Sequence, residues 1–191
     1  MTILIAGILL FIGVHSTRIF ANSWRNNMVS HIGLQKWKLL YSIIALAGLL
    51  LMIYGFVLSR ANPVFVWNPP LWSRHLAALL TLVAFILFAA AEVPRNHIKS
   101  TLKHPMYLGV KLWAFAHLIA NGRLGDILLF GVFLMWAIIG YSAARRRDRL
   151  EGVVYPAPSG TKTLIAIIAG VAAWALFAFW LHRILIGVSP L

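Results

Sequence analysis

The feature that most constrains this chain is a series of six long apolar segments separated by short polar stretches. Most of them reach the length of about 17–25 residues that an α-helix needs to cross the hydrocarbon core of a bilayer. In chain order they lie at residues 2–20, 38–58, 75–92, 105–121, 124–144 and 163–185. Of the 191 residues, 61% are hydrophobic and only 11% are charged, whereas soluble domains are about 25% charged. The sequence therefore predicts an all-α, polytopic membrane helix bundle with about six transmembrane helices.

The basic residues predict how this bundle lies in the bilayer. Loop 21–37 with its flanks, loop 93–104 and loop 145–162 together hold 12 of the 17 lysines and arginines. Because these loops alternate with weakly charged ones, the positive-inside rule places them in the cytoplasm. We therefore expect a single domain over residues 1–191 in the bacterial inner membrane, with both termini periplasmic. The net charge of +13 then reflects topology and contact with anionic lipid, so that nucleic acid is not an expected partner.

The amino-acid composition of the chain excludes several kinds of functional site. The chain has no cysteine, which excludes disulfides, thiolate metal sites and cysteine nucleophiles. Only four residues are acidic, and Glu92 and Asp126, the two near predicted helices, belong to opposite membrane faces. No carboxylate pair is therefore available for acid–base hydrolysis, and no glycine-rich phosphate loop is present. Histidines remain as the candidate functional side chains, since a polar group within the membrane is costly and indicates a site.

Two of these histidines bound the stretch KHPMYLGVKLWAFAH, residues 103–117. Pro105 suits the first position of a helix, which places His104 at the helix start on the cytoplasmic surface. His117 follows thirteen residues later, about 20 Å deeper and on another side of the helix. The two cannot share one metal ion, so we expect His104 to belong to an inner-surface polar site and His117 to the bilayer interior.

His117 has two interpretations. A neutral imidazole within a bundle can hydrogen-bond to another helix, or it can be an axial ligand of haem b. For the second interpretation the best partner is His15, the only histidine of the first segment. The rise of each helix places His15 about 10 Å nearer the cytoplasm than His117. Arg18 lies on the same helix face as His15 and suits a haem propionate. Lys111 suits a propionate too, or an ion pair with Glu92, or snorkelling toward the cytoplasm.

The other four histidines are expected to be solvated or interfacial: His31, His75, His97 and His182.

The stretch from residue 96 to residue 122 resembles the signature of the NnrU membrane family, through His104-Pro105 and the run Trp113 to Gly122. That family is associated with nitrite and nitric oxide metabolism in denitrifying bacteria. It is similar to the plant 15-cis-zeta-carotene isomerase, an integral membrane enzyme with haem b. The resemblance implies that His15 and His117 ligate iron and that His104 is also required. Ala114 stands where the plant relative has a cysteine, so a ligand switch through that cysteine is not implied here.

Three functions remain open from the sequence. The first is a haem b-binding membrane protein, either a redox-dependent, isomerase-like enzyme with a hydrophobic small-molecule substrate or a factor linked to nitrite and nitric oxide. The second is a membrane methyltransferase that uses S-adenosylmethionine at the HPMYLG element, His104 to Gly109. Such enzymes also use an adjacent acidic pair, whereas Asp148 and Glu151 are not adjacent here. The third is a non-catalytic assembly factor for a respiratory complex.

Overall fold

A computed structural model describes residues 1–190 of the chain, and these residues are mostly α-helical. The helices are α1 (Thr2–Phe20), α2 (Asn22–Ile32), α3 (Leu34–Ala61), α4 (Trp72–Glu92), α5 (His97–Leu102), α6 (Pro105–Ala120), α7 (Leu124–Leu150) and α8 (Gly160–Leu176). A π-helical turn, Phe177–Leu181, joins α8 to the short α9 (His182–Ile186). Over residues 1–190 the only β-type contact is an isolated bridge between Phe65 and Arg123. The predicted all-α class is therefore confirmed.

Five helical segments are long and apolar enough to cross a membrane: α1, α3, α4, α7, and the continuous segment Gly160–Ile186. The protein is thus an integral membrane helix bundle. The remaining predicted span is α6, whose 16 residues extend about 24 Å, short of a hydrocarbon core of about 30 Å. Pro105 starts this helix and Asn121 ends it. Since α6 nevertheless packs between α4 and α7, the prediction of about six helices agrees with the structure, with α6 as the short member.

The predicted loops contain more helix than expected. Loop 21–37 is largely helix α2, loop 93–104 contains α5, and α7 continues through the arginine-rich segment to Leu150. Arginine is a good helix former, and outside the hydrocarbon its charge is solvated at no cost to the helix. The charged run after residue 144 therefore extends α7, and this extension carries Asp148 to the position where it becomes important below.

The long helices pack side by side in the order α3, α1, α7, α6, α4, α8, and each packs mainly against the helices next to it in this order. Glycines lie at the closest contacts. A Cβ atom added at Gly7 of α1 would lie 2.3 Å from the backbone of α3. A Cβ atom added at Gly55 of α3 would lie 2.2 Å from the backbone of α1. A Cβ at Gly170 would lie 2.5 Å from the backbone of Ile86 on α4. Such small-residue contacts let helices approach closely where lipid provides no hydrophobic driving force.

The bundle has two chemically different ends. The basic end comprises residues 18–36, 93–104 and 145–159, and there the Arg147 guanidinium donates to the Arg18 carbonyl at 3.5 Å. The opposite end comprises loop 62–71, turn 121–123 and the start of α1. Here the loop and the turn are joined by the amide of Val66, which donates to the Gly122 carbonyl at 2.8 Å. Arg60 donates to the carbonyl of Ile186, so the end of α9 lies at this end as well.

Candidate functional site

His15 is held in one tautomer by its own helix. Its Nδ1 lies 2.7 Å from the carbonyl oxygen of Phe11, four residues earlier. Because a carbonyl can only accept, the neutral ring carries its proton on Nδ1 and leaves Nε2 with a free lone pair. The ring is half-buried and contacts Phe11 at 4.2 Å between centroids, Tyr41 of α3 at 5.2 Å and Trp136 of α7 at 6.3 Å.

His117 on α6 repeats the same arrangement. Its Nδ1 donates to the Trp113 carbonyl, again four residues earlier, at 2.7 Å. Its ring stacks on Phe130 of α7, with centroids 4.4 Å apart and an interplanar angle of 29°. The side chain of Asn121 donates to the His117 carbonyl at 2.9 Å. Both membrane histidines therefore have an oriented ring whose Nε2 is the available donor atom.

This donor arrangement suits a metal ion. Metal-ligating histidines usually donate their second ring N–H to a carbonyl or carboxylate, which fixes the ring and makes the ligating nitrogen more basic. Beside His15, the buried indole Nε1 of Trp136 has no acceptor among residues 1–190, a condition that costs about 1–3 kcal/mol. In the same residues no group of three or more histidine and acidic side chains surrounds a common point. Haem supplies four nitrogens to iron itself and needs only one or two ligands from the protein.

The packing between the two histidines fits haem less well. Phe11 contacts Phe133 at 5.9 Å, and Phe133 contacts Trp113 at 5.6 Å, so a continuous series of rings runs from His15 to His117. Their partners on α7, Trp136 and Phe130, are six residues apart, which is about 9 Å along the helix. A macrocycle bound by both histidines would take the place of these rings, with Phe133 at the centre. The two Nε2 atoms are therefore suitable iron ligands, but the space between His15 and His117 is filled by aromatic side chains.

The two basic residues expected at propionates lie toward the basic end. Arg18 is exposed there, one turn after His15. The Lys111 ammonium lies 4.4 Å from the ring centroid of Tyr141, a cation–π contact. Ion pairs within residues 1–190 join His104 to Asp148 and Arg123 to Asp126, so Lys111 does not pair with Glu92. Arg18 remains the residue better placed for a group bound at His15.

A second polar site, which we call the His104 cluster, consists of His104, Asp148 and Tyr155 at the basic end. Asp148 Oδ2 lies 2.9 Å from His104 Nε2 and accepts a hydrogen bond from the Tyr155 hydroxyl at 2.7 Å. The sequence placed His104 at an inner-surface polar site but did not identify these partners, which lie 44 and 51 residues away. The available signal was Asp148 itself, a single acidic residue within an arginine run.

The Tyr155 hydroxyl is the strongly perturbed group of this cluster. Burial, and then the hydrogen bond to Asp148, raise the pKa of Tyr155 from 10.0 to about 12. The proton is retained because an ionised phenolate would face the Asp148 carboxylate. Tyr155 thus ties the connection after α7 to the start of α6 as a neutral donor.

Replacement of Tyr155 by phenylalanine is expected to destabilise the protein by about 1 kcal/mol at pH 8, since a hydrogen bond to a carboxylate is lost. Between about pH 10 and 12 the folded state holds this proton and the unfolded state does not. Raising the pH through this range therefore destabilises the wild type, and its advantage over Tyr155→Phe declines. Thermal unfolding in detergent at each pH measures the difference, with exposed Tyr54→Phe as control. A constant difference up to pH 12 would contradict the assignment.

The HPMYLG element is occupied by helix packing. Pro105 and Gly109 are buried, and a Cβ at Gly109 would lie 2.5 Å from the ring of Phe88 on α4. The Tyr107 ring fits against Gly140 of α7, where a Cβ would lie 2.3 Å from it. Because these contacts account for the small and aromatic residues of the element, the structure offers no observation that favours a methyl-donor site there.

The remaining histidines are peripheral. His31, His75 and His97 are exposed, and His97 Nδ1 pairs with the Thr163 hydroxyl at 2.8 Å. His182 Nδ1 donates to the Val188 carbonyl at 2.6 Å near the end of the chain. The His97 contact holds α5 to α8 and the His182 contact is local, so both have a structural explanation. His15, His117 and His104 remain the candidate functional histidines.

The fold and the site together define a class: an integral membrane helix bundle with two oriented histidines among aromatic rings and a polar cluster at its basic end. Within this class, the chain belongs to the NnrU protein family, whose model matches residues 3–190, nearly the whole chain. No curated protein matches the chain, and no solved structure matches it. The resemblance noted from residues 96–122 is confirmed at the level of the family.

Proposed function

We propose that this protein binds haem b within the membrane, with Nε2 of His15 and Nε2 of His117 as the iron ligands. The observation that carries the proposal is the pair of Nδ1–carbonyl hydrogen bonds, both 2.7 Å long, which orient the two rings in the same way. The unpartnered indole N–H of Trp136 beside His15 supports it, because a bound group with an acceptor atom would satisfy this donor.

Haem, when bound, would supply one-electron chemistry, and a small ligand or substrate would reach the iron only if His15 or His117 dissociated. The chain's own residues do the rest. The Phe11 and Trp113 carbonyls accept from Nδ1–H and so orient the two imidazoles. On α7, the Trp136 ring beside His15 and the Phe130 ring beside His117 exclude water. Arg18 offers a cation at the basic end for a propionate. Such a protein suits a redox-dependent, isomerase-like reaction of a hydrophobic substrate, or a role linked to nitrite and nitric oxide in denitrification.

Absorption spectra of the detergent-purified protein test this proposal directly. We expect a Soret band, one haem b per chain by the pyridine haemochrome assay, and sharpened visible bands after reduction with dithionite. Carbon monoxide added to the reduced protein separates both of these roles, which need an accessible iron, from a third role in electron transfer alone. A spectral shift indicates an accessible iron position, as substrate or nitric oxide requires, whereas no shift indicates electron transfer. Absence of haem after reconstitution with haemin would overturn the proposal.

We also propose that the basic end faces the cytoplasm of a bacterial inner membrane, which places both termini in the periplasm. Since the chain has no cysteine, single substitutions report the topology without background. With a membrane-impermeant maleimide on intact spheroplasts, Asn62→Cys at the opposite end should be labelled at once. Asn27→Cys on exposed α2 should be labelled only after permeabilisation. The reverse pattern would show that the orientation is wrong.

A further inference from the structure

The seam between α1 and α7 contains two neighbouring depressions that neither His15 nor His117 lines. The first is an open groove of about 270 Å³. Its lining is almost wholly apolar and comprises Ile12, Ser16, Ile19, Phe20, Gly131, Val132, Met135, Trp136 and Ile139. The second is a pocket of about 230 Å³ at the basic end, lined by Arg18, Ile19, Asn22, Ala143, Arg146, Arg147, Leu150 and Glu151. Ile19 lines both, so the groove and the pocket are neighbours along the seam.

The basic pocket carries uncompensated positive charge. Three arginines face one carboxylate, that of Glu151, across the pocket. Ion pairs within residues 1–190 lie elsewhere, at His104–Asp148 and Arg123–Asp126, so none of the three arginines has a carboxylate partner. The amide of Asn22 adds a neutral donor. Guanidinium groups with free donors recognise phosphate, and basic pockets at the ends of membrane helices bind anionic headgroups.

The apolar groove has the length and position of a lipid chain. From Gly131 to Ile139 it follows α7 for eight residues, about 12 Å, close to the hydrocarbon half-thickness of about 15 Å of one leaflet. Neither depression alone reaches the usual size of small-molecule sites, about 300–1,000 Å³, but a molecule that occupied both would lie within that range. An apolar groove that ends in an arginine pocket at the basic end matches one kind of molecule, an amphiphile with an anionic head.

We propose that the α1–α7 seam is a specific binding site for an anionic phospholipid. Its phosphate lies in the pocket beside Arg146 and Arg147, and one acyl chain lies in the groove beside Gly131. The site is separate from the histidines, although Trp136 borders the groove on one side and contacts His15 on the other. A lipid in the seam would therefore join α1 to α7 and cover the outer edge of the His15 region.

Native mass spectrometry of the delipidated full chain tests this site with added phosphatidylglycerol. The wild type should retain one tightly bound molecule, and phosphatidylcholine should not replace it. The double variant Arg146→Gln, Arg147→Gln should bind about thirtyfold more weakly, the factor expected for two charges removed from an anionic headgroup. The matched control Arg145→Gln, Arg149→Gln removes the same charge from α7 residues that do not line the pocket, and it should bind like the wild type.

The acyl chain is tested by Gly131→Leu. A Cβ at Gly131 has no atom within 4 Å, so a leucine fits the fold and fills the groove, and binding should fall about tenfold. Gly13→Leu, equally unobstructed on α1 but outside the groove, should leave binding unchanged. Inorganic phosphate that displaces the lipid completely, or phosphatidylcholine bound as tightly, would overturn the proposal. So would normal binding by Gly131→Leu. The haem spectrum of each variant, which should not change, separates this result from the proposed function.

Discussion

Replacing either His15 or His117 by alanine is expected to remove the haem spectrum of the purified protein. If His15 and His117 hold the iron as proposed, truncation of either side chain would remove one of its two protein ligands, and the weakened complex would be lost during purification in detergent. The structure sharpens this expectation because each imidazole is already oriented by its own hydrogen bond, to Phe11 or to Trp113. We expect occupancy below about one tenth of the wild-type value, a loss of at least about 1.4 kcal/mol in binding free energy.

The matched control is His75→Ala, which truncates an exposed histidine at the start of α4. Its haem content should equal that of the wild type, and size-exclusion profiles should show that all three variants fold. A normal Soret band in His117→Ala alone would contradict ligation by both histidines and leave His15 as the ligand. That result would agree with the ring series Phe11–Phe133–Trp113, which would then be a permanent partition between the two histidines.

The membrane class and most spans of this protein were predictable because hydrocarbon imposes a length and an apolar composition on each helix. The end of α7 was not predictable in this way. Outside the hydrocarbon no solvent constraint marks where a helix stops. The arginine run after residue 144 was therefore predicted to be a loop, whereas in the structure it continues α7. This extension brings Asp148 to His104, a contact across 44 residues that spacing alone does not reveal. The His104 cluster therefore depends on tertiary structure.

For His15 and His117, too, the sequence predicted only part of the arrangement. Helix rise along the first and fourth predicted spans indicated an offset of about 10 Å between His15 and His117. The rings of Phe11, Phe133 and Trp113, which lie between them, could not be placed, because each side chain's neighbours depend on which helices are adjacent. The order α3, α1, α7, α6, α4 has no signature in a single sequence. The orphan indole N–H of Trp136 likewise becomes visible only when every neighbouring acceptor is known.

The second large effect concerns the contact that holds α1 against α3. Replacing Gly7 by alanine adds a Cβ atom at 2.3 Å from the backbone nitrogen of Met52. Backbone cannot rotate away as a flexible side chain can, so the two helices must separate, with an overpacking penalty of about 1–3 kcal/mol. Alanine's better helix propensity offsets up to about 1 kcal/mol of this. We expect a lower temperature of unfolding in detergent, measured by circular dichroism.

Gly13→Ala is the matched control on the same helix, because no atom lies within 4 Å of its added Cβ. It has the same gain in helix propensity without the collision, and its unfolding temperature should equal or exceed that of the wild type. The two variants also separate packing from ligation. Since α1 carries His15 and its Tyr41 contact lies on α3, Gly7→Ala should weaken haem binding as well as stability, while Gly13→Ala should change neither adversely. Equal stability of the two variants would show that α1 and α3 tolerate separation here, and that the glycine contact does not fix the position of His15.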